Sequence, residues 1–183
     1  CGGRTEDGIS DSGSNPKQMT PFNLHKWLFQ FPSDELLCLP NNKSYSSSVY
    51  WTIFLDSRWI EERANRRYKI GKLKAVVPLK RNKSGKLMSI RLEGTAGTKV
   101  VEGFDKISYV LSANTLRSDI FIIRPLFKGK YPYRFILKGV GTGHGKGLCI
   151  YGSYNMAKNF AKKHTDILKH YFPLLKIKGI TQK

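Results

Sequence analysis

The chain of 183 residues is 40% hydrophobic and 12% aromatic, which allows one well-packed core and excludes a disordered chain. It has no run near the roughly 18 apolar residues of a membrane-spanning helix, and its three scattered cysteines exclude a disulfide framework. The net charge of +19 arises in residues 61–183, whose 27 basic and seven acidic side chains predict a polyanionic neighbour.

The first part of the chain predicts a loop, then a short apolar segment, then a helix. Residues 1–21 are polar and rich in Gly, Ser and Asp, as is typical of a loop. In residues 22–31 the aromatic side chains from Trp27 to Phe31 alternate, which favours an extended strand over a short helix. Asp56 is a good N-cap for the helical pattern DSRWIEERANRR, which has early carboxylates and late arginines.

The remainder of the chain predicts strands with a few short helices. Alternating apolar residues predict strands at residues 70–80, 85–93, 97–103, 119–127 and 133–141. Helical spacing predicts helices at 104–112 and 154–161, and a last one capped by Thr165 and ended by Pro173. The predicted fold class is therefore α+β, mainly antiparallel strands with C-terminal helices after a glycine-rich strand or loop.

The run GVGTGHGKG at residues 139–147 has a glycine at every second position. It fits neither a Walker-type phosphate loop nor a dinucleotide-binding fingerprint, because each lacks a required glycine here. In an extended chain the five glycines would form one bare face, against which a second strand or a flat ligand could lie. The alternative is a packed glycine strand in which His144 makes only a structural hydrogen bond.

Several segments in the same order resemble the stage II sporulation protein D family, which includes the amidase enhancers. GTGHGKGLCIYGSYNMA followed by DILKHYFP resembles the family's C-terminal Gly-x-Gly-His-Gly motif, Ala-rich helix and Ile-Leu-x-His-Tyr element. CGGRTED, SGKLMSIRLEGTAGTKVVEG and LRSDIFII resemble its Cys-Gly-Gly-x-Thr-Glu segment, Ser-Gly-Arg hairpin and Leu-Arg-Ser strand. The resemblance implies that residues 1–175, with a folded part at 22–175, are the C-terminal half of the family's domain, and that 176–183 are a tail.

The resemblance implies peptidoglycan remodelling outside the cytoplasm, in the bacterial cell envelope. Members of this family cut glycan strands as lytic transglycosylases, or assist the enzymes that trim the cell wall. The family's catalytic glutamate precedes its Cys-Gly-Gly segment, so the acid is expected upstream of Cys1, and this chain is expected to form a wall of the substrate cleft. The expected partners are glycan strands and a cell-wall amidase or septal complex, with a membrane involved only through an anchor before Cys1.

The resemblance also implies which residues bind substrate or metal. The expected substrate-binding residues are Gly143, His144, Gly145, Lys146, Gly147, Tyr151, Arg117 and Ser118. Cys1 corresponds to one member of a cluster able to hold a structural zinc, although a lipidated N-terminal cysteine is the alternative for it, and no other cofactor is expected. Leu148-Cys149-Ile150 replaces the family's Met-Ser-Gln, so its polar Ser/Gln pair is missing.

Two other functions remain open on the sequence. One is a non-catalytic cell-wall binding module that enhances an amidase. The other is a basic nucleic-acid-binding protein, which is disfavoured because Tyr109, Phe121 and Phe135 fall at expected core positions and so would not stack on bases. Glu61, Glu62, Glu93 and Glu102 have no evident partner in the sequence, and none is expected to be the catalytic acid.

Overall fold

The computed structural model describes residues 24–25, 28, 37–38, 49–143, 145–173 and 176–178. Its strands are β1 (Tyr50–Asp56), β2 (Leu73–Arg81), β3 (Leu87–Gly94), β4 (Thr98–Glu102), β5 (Phe121–Lys128) and β6 (Tyr131–Val140). Its helices are α1 (Ser57–Tyr68), between β1 and β2, α2 (Phe104–Ser112), between β4 and β5, and α3 (Ile150–Phe160) and α4 (His164–Tyr171), after β6. The predicted α+β class is confirmed.

The strands form two three-stranded antiparallel sheets, ordered β1-β6-β5 and β2-β3-β4. The second sheet contains the predicted hairpin and the short strand that follows it. The first sheet contains both predicted strands on either side of the turn at Gly129, and it is completed by β1, a strand that the apolar pattern did not predict. Because β1 pairs with β6 far along the chain, the first sheet places β1 beside the start of the glycine run.

The apolar segment at 22–31 differs from its prediction. Its described residues, Leu24, His25 and Leu28, are helical, so the extended interpretation is wrong for them, and the rest of the segment lies outside the described residues. Leu24 and Leu28 are both buried in a cluster with Val49, Ile120 and Val140. A helix places positions four apart on the same face, which explains how both leucines reach this cluster.

Helices α1 and α2 belong to the main core, which also takes side chains from both sheets. The Asp56 carboxylate accepts a hydrogen bond from the Arg58 N–H at 2.9 Å, so the predicted N-cap of α1 is confirmed. Arg63 of α1 donates to the carbonyl oxygens of Val110 and Leu111 at 2.9 and 2.6 Å, near the end of α2. These bonds satisfy carbonyls that the helix itself leaves free, and burial lowers the pKa of Arg63.

The hairpin loop between β2 and β3 joins the two sheets. Arg81 donates to the carbonyl oxygens of Gly85 at 2.9 Å and Phe121 at 2.6 Å, and burial lowers its pKa to about 10. The buried ammonium group of Lys86 lies 3.9 Å from the Asp119 carboxylate. The β2–β3 hairpin is therefore a structural junction, since Arg81 binds the first residue of β5 and Lys86 pairs with Asp119 just before that strand.

The C-terminal helices begin at different residues from those predicted. Helix α3 begins at Ile150, four residues before its predicted start, because Cys149 acts as the N-cap. Helix α4 begins after Lys163, so the predicted Thr165 cap is wrong, and Asp166 instead accepts a hydrogen bond from the Lys163 N–H at 3.2 Å. None of the helices in the described residues has the length and apolar content needed to cross a bilayer.

Candidate functional site

The glycine run is a strand end followed by a loop. Strand β6 ends at Val140, and Gly141, Gly143, Gly145 and Gly147 have φ angles of +87°, +99°, +59° and +68°. These angles lie in a region that side chains disfavour, so every second residue turns the chain. The predicted single bare face over 139–147 is therefore wrong beyond Val140, because the chain turns at the glycines there and is not an extended strand.

Gly139, the glycine that does lie in the strand, packs against Trp51 of β1. Gly139 pairs with Trp51 on one side and with Phe121 on the other. A Cβ built on Gly139 would overlap the Trp51 indole, so this ring lies directly against the glycine backbone. The centroid of the indole lies 5.8 Å from that of the Phe121 ring. The bare face at this position is therefore filled by an aromatic side chain of the protein itself, as in a packed glycine strand.

Trp51 and Ser118 also fix the start of the loop. The indole N–H of Trp51 lies 3.0 Å from the Gly141 carbonyl oxygen and 3.2 Å from the Ser118 hydroxyl. The Ser118 hydroxyl donates to the Val140 carbonyl at 2.7 Å, and the Gly143 N–H donates to the Arg117 carbonyl at 2.8 Å. Ser118 is only 3% exposed, so it positions the loop and does not face solvent, whereas the Arg117 side chain is exposed.

Beyond this anchor, the loop and the start of α3 surround a cavity of about 210 Å³. It is lined by Thr142, Gly143, Gly145, Lys146, Gly147, Leu148, Cys149, Ile150 and Tyr151. The loop residues that were expected to bind substrate therefore meet at one cavity, together with Tyr151. His144 lies outside the described residues. A Cβ on Gly143 would have no heavy atom within 4 Å, so this glycine leaves open space beside the backbone.

Cys149 is a member of this site that the sequence did not indicate. Its sulfur accepts a hydrogen bond from the Gly152 N–H at 3.5 Å in the first turn of α3. A hydrogen bond from the Cys38 thiol, helped by the main-chain N–H groups of Gly152 and Tyr151 and opposed by burial, lowers the pKa of Cys149 to about 6. The sequence signal for this thiol is a cysteine just before a helix, where the N-terminus favours a thiolate. Its hydrogen-bond partner, Cys38, lies far away in the sequence.

Two carboxylates have partners that the sequence did not reveal. Glu61 accepts a hydrogen bond from the Leu73 N–H at 2.7 Å, at the start of β2, and Glu93 pairs with Arg91 at 2.7 Å. Glu102 is the last residue of β4. The expected zinc ligand Cys1 lies outside the described residues, within which no cluster of three His, Cys, Asp or Glu side chains could hold a metal ion.

A second, larger cavity of about 590 Å³ lies at the N-terminal end of α1. It is lined by Asp56, Ser57, Arg58, Trp59, Glu61, Lys72, Leu73, Tyr131, Pro132 and Tyr133. Trp59 and Tyr133 are exposed aromatic residues, and the Lys72 ammonium lies 4.2 Å from the centre of the Tyr131 ring. The sequence did not indicate this cavity, because the pairing of β1 with β6 brings residues 56–61 beside residues 131–133.

Residues 51–147 match the family model described as "Domain of unknown function (DUF8618)". This range runs from β1 to the glycine loop and covers more than half of the chain. The protein therefore belongs to this family. No curated protein matches the chain.

Proposed function

We propose that this protein binds the glycan strands of peptidoglycan in the bacterial cell envelope, and that it forms one wall of the cleft of a lytic transglycosylase. The observation that carries the proposal is the 210 Å³ cavity, where Gly143, Lys146 and Tyr151 meet. These residues belong to the segment that resembles the sporulation protein D family.

The chemistry of this cavity suits a sugar chain with acidic substituents. Tyr151 is 68% exposed and offers an aromatic ring on which a pyranose can stack. The open backbone at Gly143 lets a ring approach closely, since no side chain stands there. The exposed Lys146 supplies a positive charge for the carboxylates of the cell wall.

The basic part of the chain predicts that binding depends on salt. We expect the protein to sediment with purified peptidoglycan, and the bound fraction to fall several-fold from about 50 mM to about 500 mM salt, because exposed charges are screened beyond roughly 10 Å at 0.1 M. Chitin, an uncharged glycan, is the control polymer and should bind less. Binding that does not change with salt would contradict the electrostatic part, and no sedimentation at any salt would contradict the proposal.

The same assay tests the nucleic-acid alternative. Phe121 and Phe135 are fully buried, as predicted, and Tyr109 is partly buried, with the Arg67 guanidinium 4.6 Å from its ring centre. These three rings are therefore not platforms for bases. Single-stranded DNA added as a competitor should displace the protein from peptidoglycan no better than an equally charged polyanion without bases.

The chain by itself is expected to bind glycan without cutting it. Glycan cleavage needs an acid that protonates the leaving oxygen. Glu61 and Glu93 already bond other groups. Glu62 and Glu102 are exposed and line neither cavity. After incubation with peptide-stripped glycan, mass spectrometry should show no anhydro-muramyl ends, while a known lytic transglycosylase should produce them. Steady formation of such ends by the chain alone would place the acid within it.

A further inference from the structure

The fold holds two thiols, Cys38 and Cys149, at the start of α3. Cys149 is the N-cap of α3, and it packs with Leu37 against the buried cluster of α3 and α4. The Leu37 carbonyl accepts a hydrogen bond from the Asn155 side chain of α3 at 2.7 Å. The Leu37–Cys38 segment is therefore fixed to this helix at two points, although it lies far from it in sequence.

The two sulfurs are in different environments. Cys149 lines the loop cavity, so a small molecule in the cavity can reach it, whereas Cys38 is only 5% exposed. The Cys149 sulfur accepts hydrogen bonds from the Cys38 thiol and from the Gly152 N–H at the start of α3. Donors and a helix N-terminus both favour a thiolate, which is the nucleophilic form of cysteine.

We propose that Cys149 and Cys38 form a reversible disulfide, with Cys149 as the attacking thiolate and Cys38 as the resolving thiol. Formation of this disulfide depends only on the two thiols and the helix that holds them, and not on glycan binding.

The oxidant is a hydroperoxide, and the reaction balances in two steps. The Cys149 thiolate attacks the terminal peroxide oxygen, the O–O bond breaks, and the leaving alkoxide or hydroxide takes a proton to become alcohol or water. This leaves Cys149 as a sulfenic acid. The Cys38 sulfur then attacks the Cys149 sulfur, the S–O bond breaks and water leaves. The two thiols together lose two electrons, which reduce the peroxide, and an added dithiol reverses the reaction by exchange.

The disulfide would change the loop cavity. It would remove the Cys149 thiolate from the cavity wall and bind the Leu37–Cys38 segment covalently to the start of α3. Because the glycine loop ends at Cys149, oxidation would restrain the loop at its C-terminal end.

The test uses the full chain with Cys1→Ser, so that only Cys38 and Cys149 remain. The protein is treated with hydrogen peroxide, alkylated with iodoacetamide, digested and mapped by mass spectrometry. We expect a peptide pair joined through Cys38 and Cys149 that disappears after dithiothreitol. In the untreated protein, iodoacetamide should label Cys149 several-fold faster than Cys38, and faster labelling of Cys38 would overturn the assigned roles.

Two variants separate the steps. Cys38→Ser should stop the reaction at the sulfenic acid of Cys149, which dimedone traps, and Cys149→Ser should leave Cys38 unmodified. Circular dichroism and melting of each variant show whether it is folded. If the folded Cys1→Ser protein retains both thiols after peroxide treatment, or forms only disulfides between molecules, the proposal is wrong.

Discussion

Replacing Gly139 by valine is expected to destabilise the protein by about 3 kcal/mol, at the upper end of the usual cost of overpacking a core. A Cβ at this position would overlap the Trp51 indole, which is buried between the strands and donates hydrogen bonds to Gly141 and Ser118. Moving the ring would therefore break contacts that hold the loop as well as the sheet. Thermal unfolding should show a melting temperature roughly 10 °C lower.

A double-mutant cycle identifies the cause of this loss. Trp51→Leu alone should destabilise by leaving a cavity, but the double variant with Gly139→Val should be more stable than the sum of the two changes predicts, because the smaller side chain leaves room for valine. Tyr133→Val, an exposed change on the same strand, should change stability by less than about 0.5 kcal/mol. Additive effects in the cycle would mean that Trp51 is not what excludes a side chain from Gly139.

Most of the fold was predictable because its strands and helices have clear local patterns. The β2–β3 hairpin alternates apolar and polar residues around a turn, and α1 begins at a good N-cap. β1 was missed because its sequence YWTIFLD is nearly continuous in apolar residues, without the polar alternation that marks a half-exposed strand. Its pairing with β6 joins residues from Tyr50 and Val140 to Asp56 and Arg134, far apart in the chain, which no local pattern encodes.

The site was predictable only in part, for a similar reason. Alternating glycines indicate close packing or unusual backbone angles, and the sequence does not distinguish these two uses. The structure contains both: Gly139 packs against Trp51, while the glycines from Gly141 onward turn the chain. The hydrogen bond between Cys38 and Cys149 likewise depends on tertiary packing. These two cysteines are far apart in the sequence, so no local pattern indicates that they interact.

The expected glycan site predicts a large loss of binding from two surface changes. In the double variant Lys146→Ala with Tyr151→Ala, the cavity loses its cation and its exposed ring. If each contributes about 1.4 kcal/mol, peptidoglycan affinity falls about 100-fold, since each such amount is tenfold. The melting temperature should stay within about 3 °C, because both residues are exposed. Sedimentation over a range of peptidoglycan concentrations measures the affinity.

The matched control is Tyr154→Ala with Lys158→Ala, which removes the same two residue types, both from α3. Tyr154 is 57% exposed, close to the value for Tyr151, and Lys158 lies 5.4 Å from its ring centre, but neither lines the cavity. This variant carries the same change of charge, so it should weaken binding only slightly if the cavity is the site. Equal losses from the two variants would mean that glycan binds to the basic surface in general, and would remove the loop from the proposed mechanism.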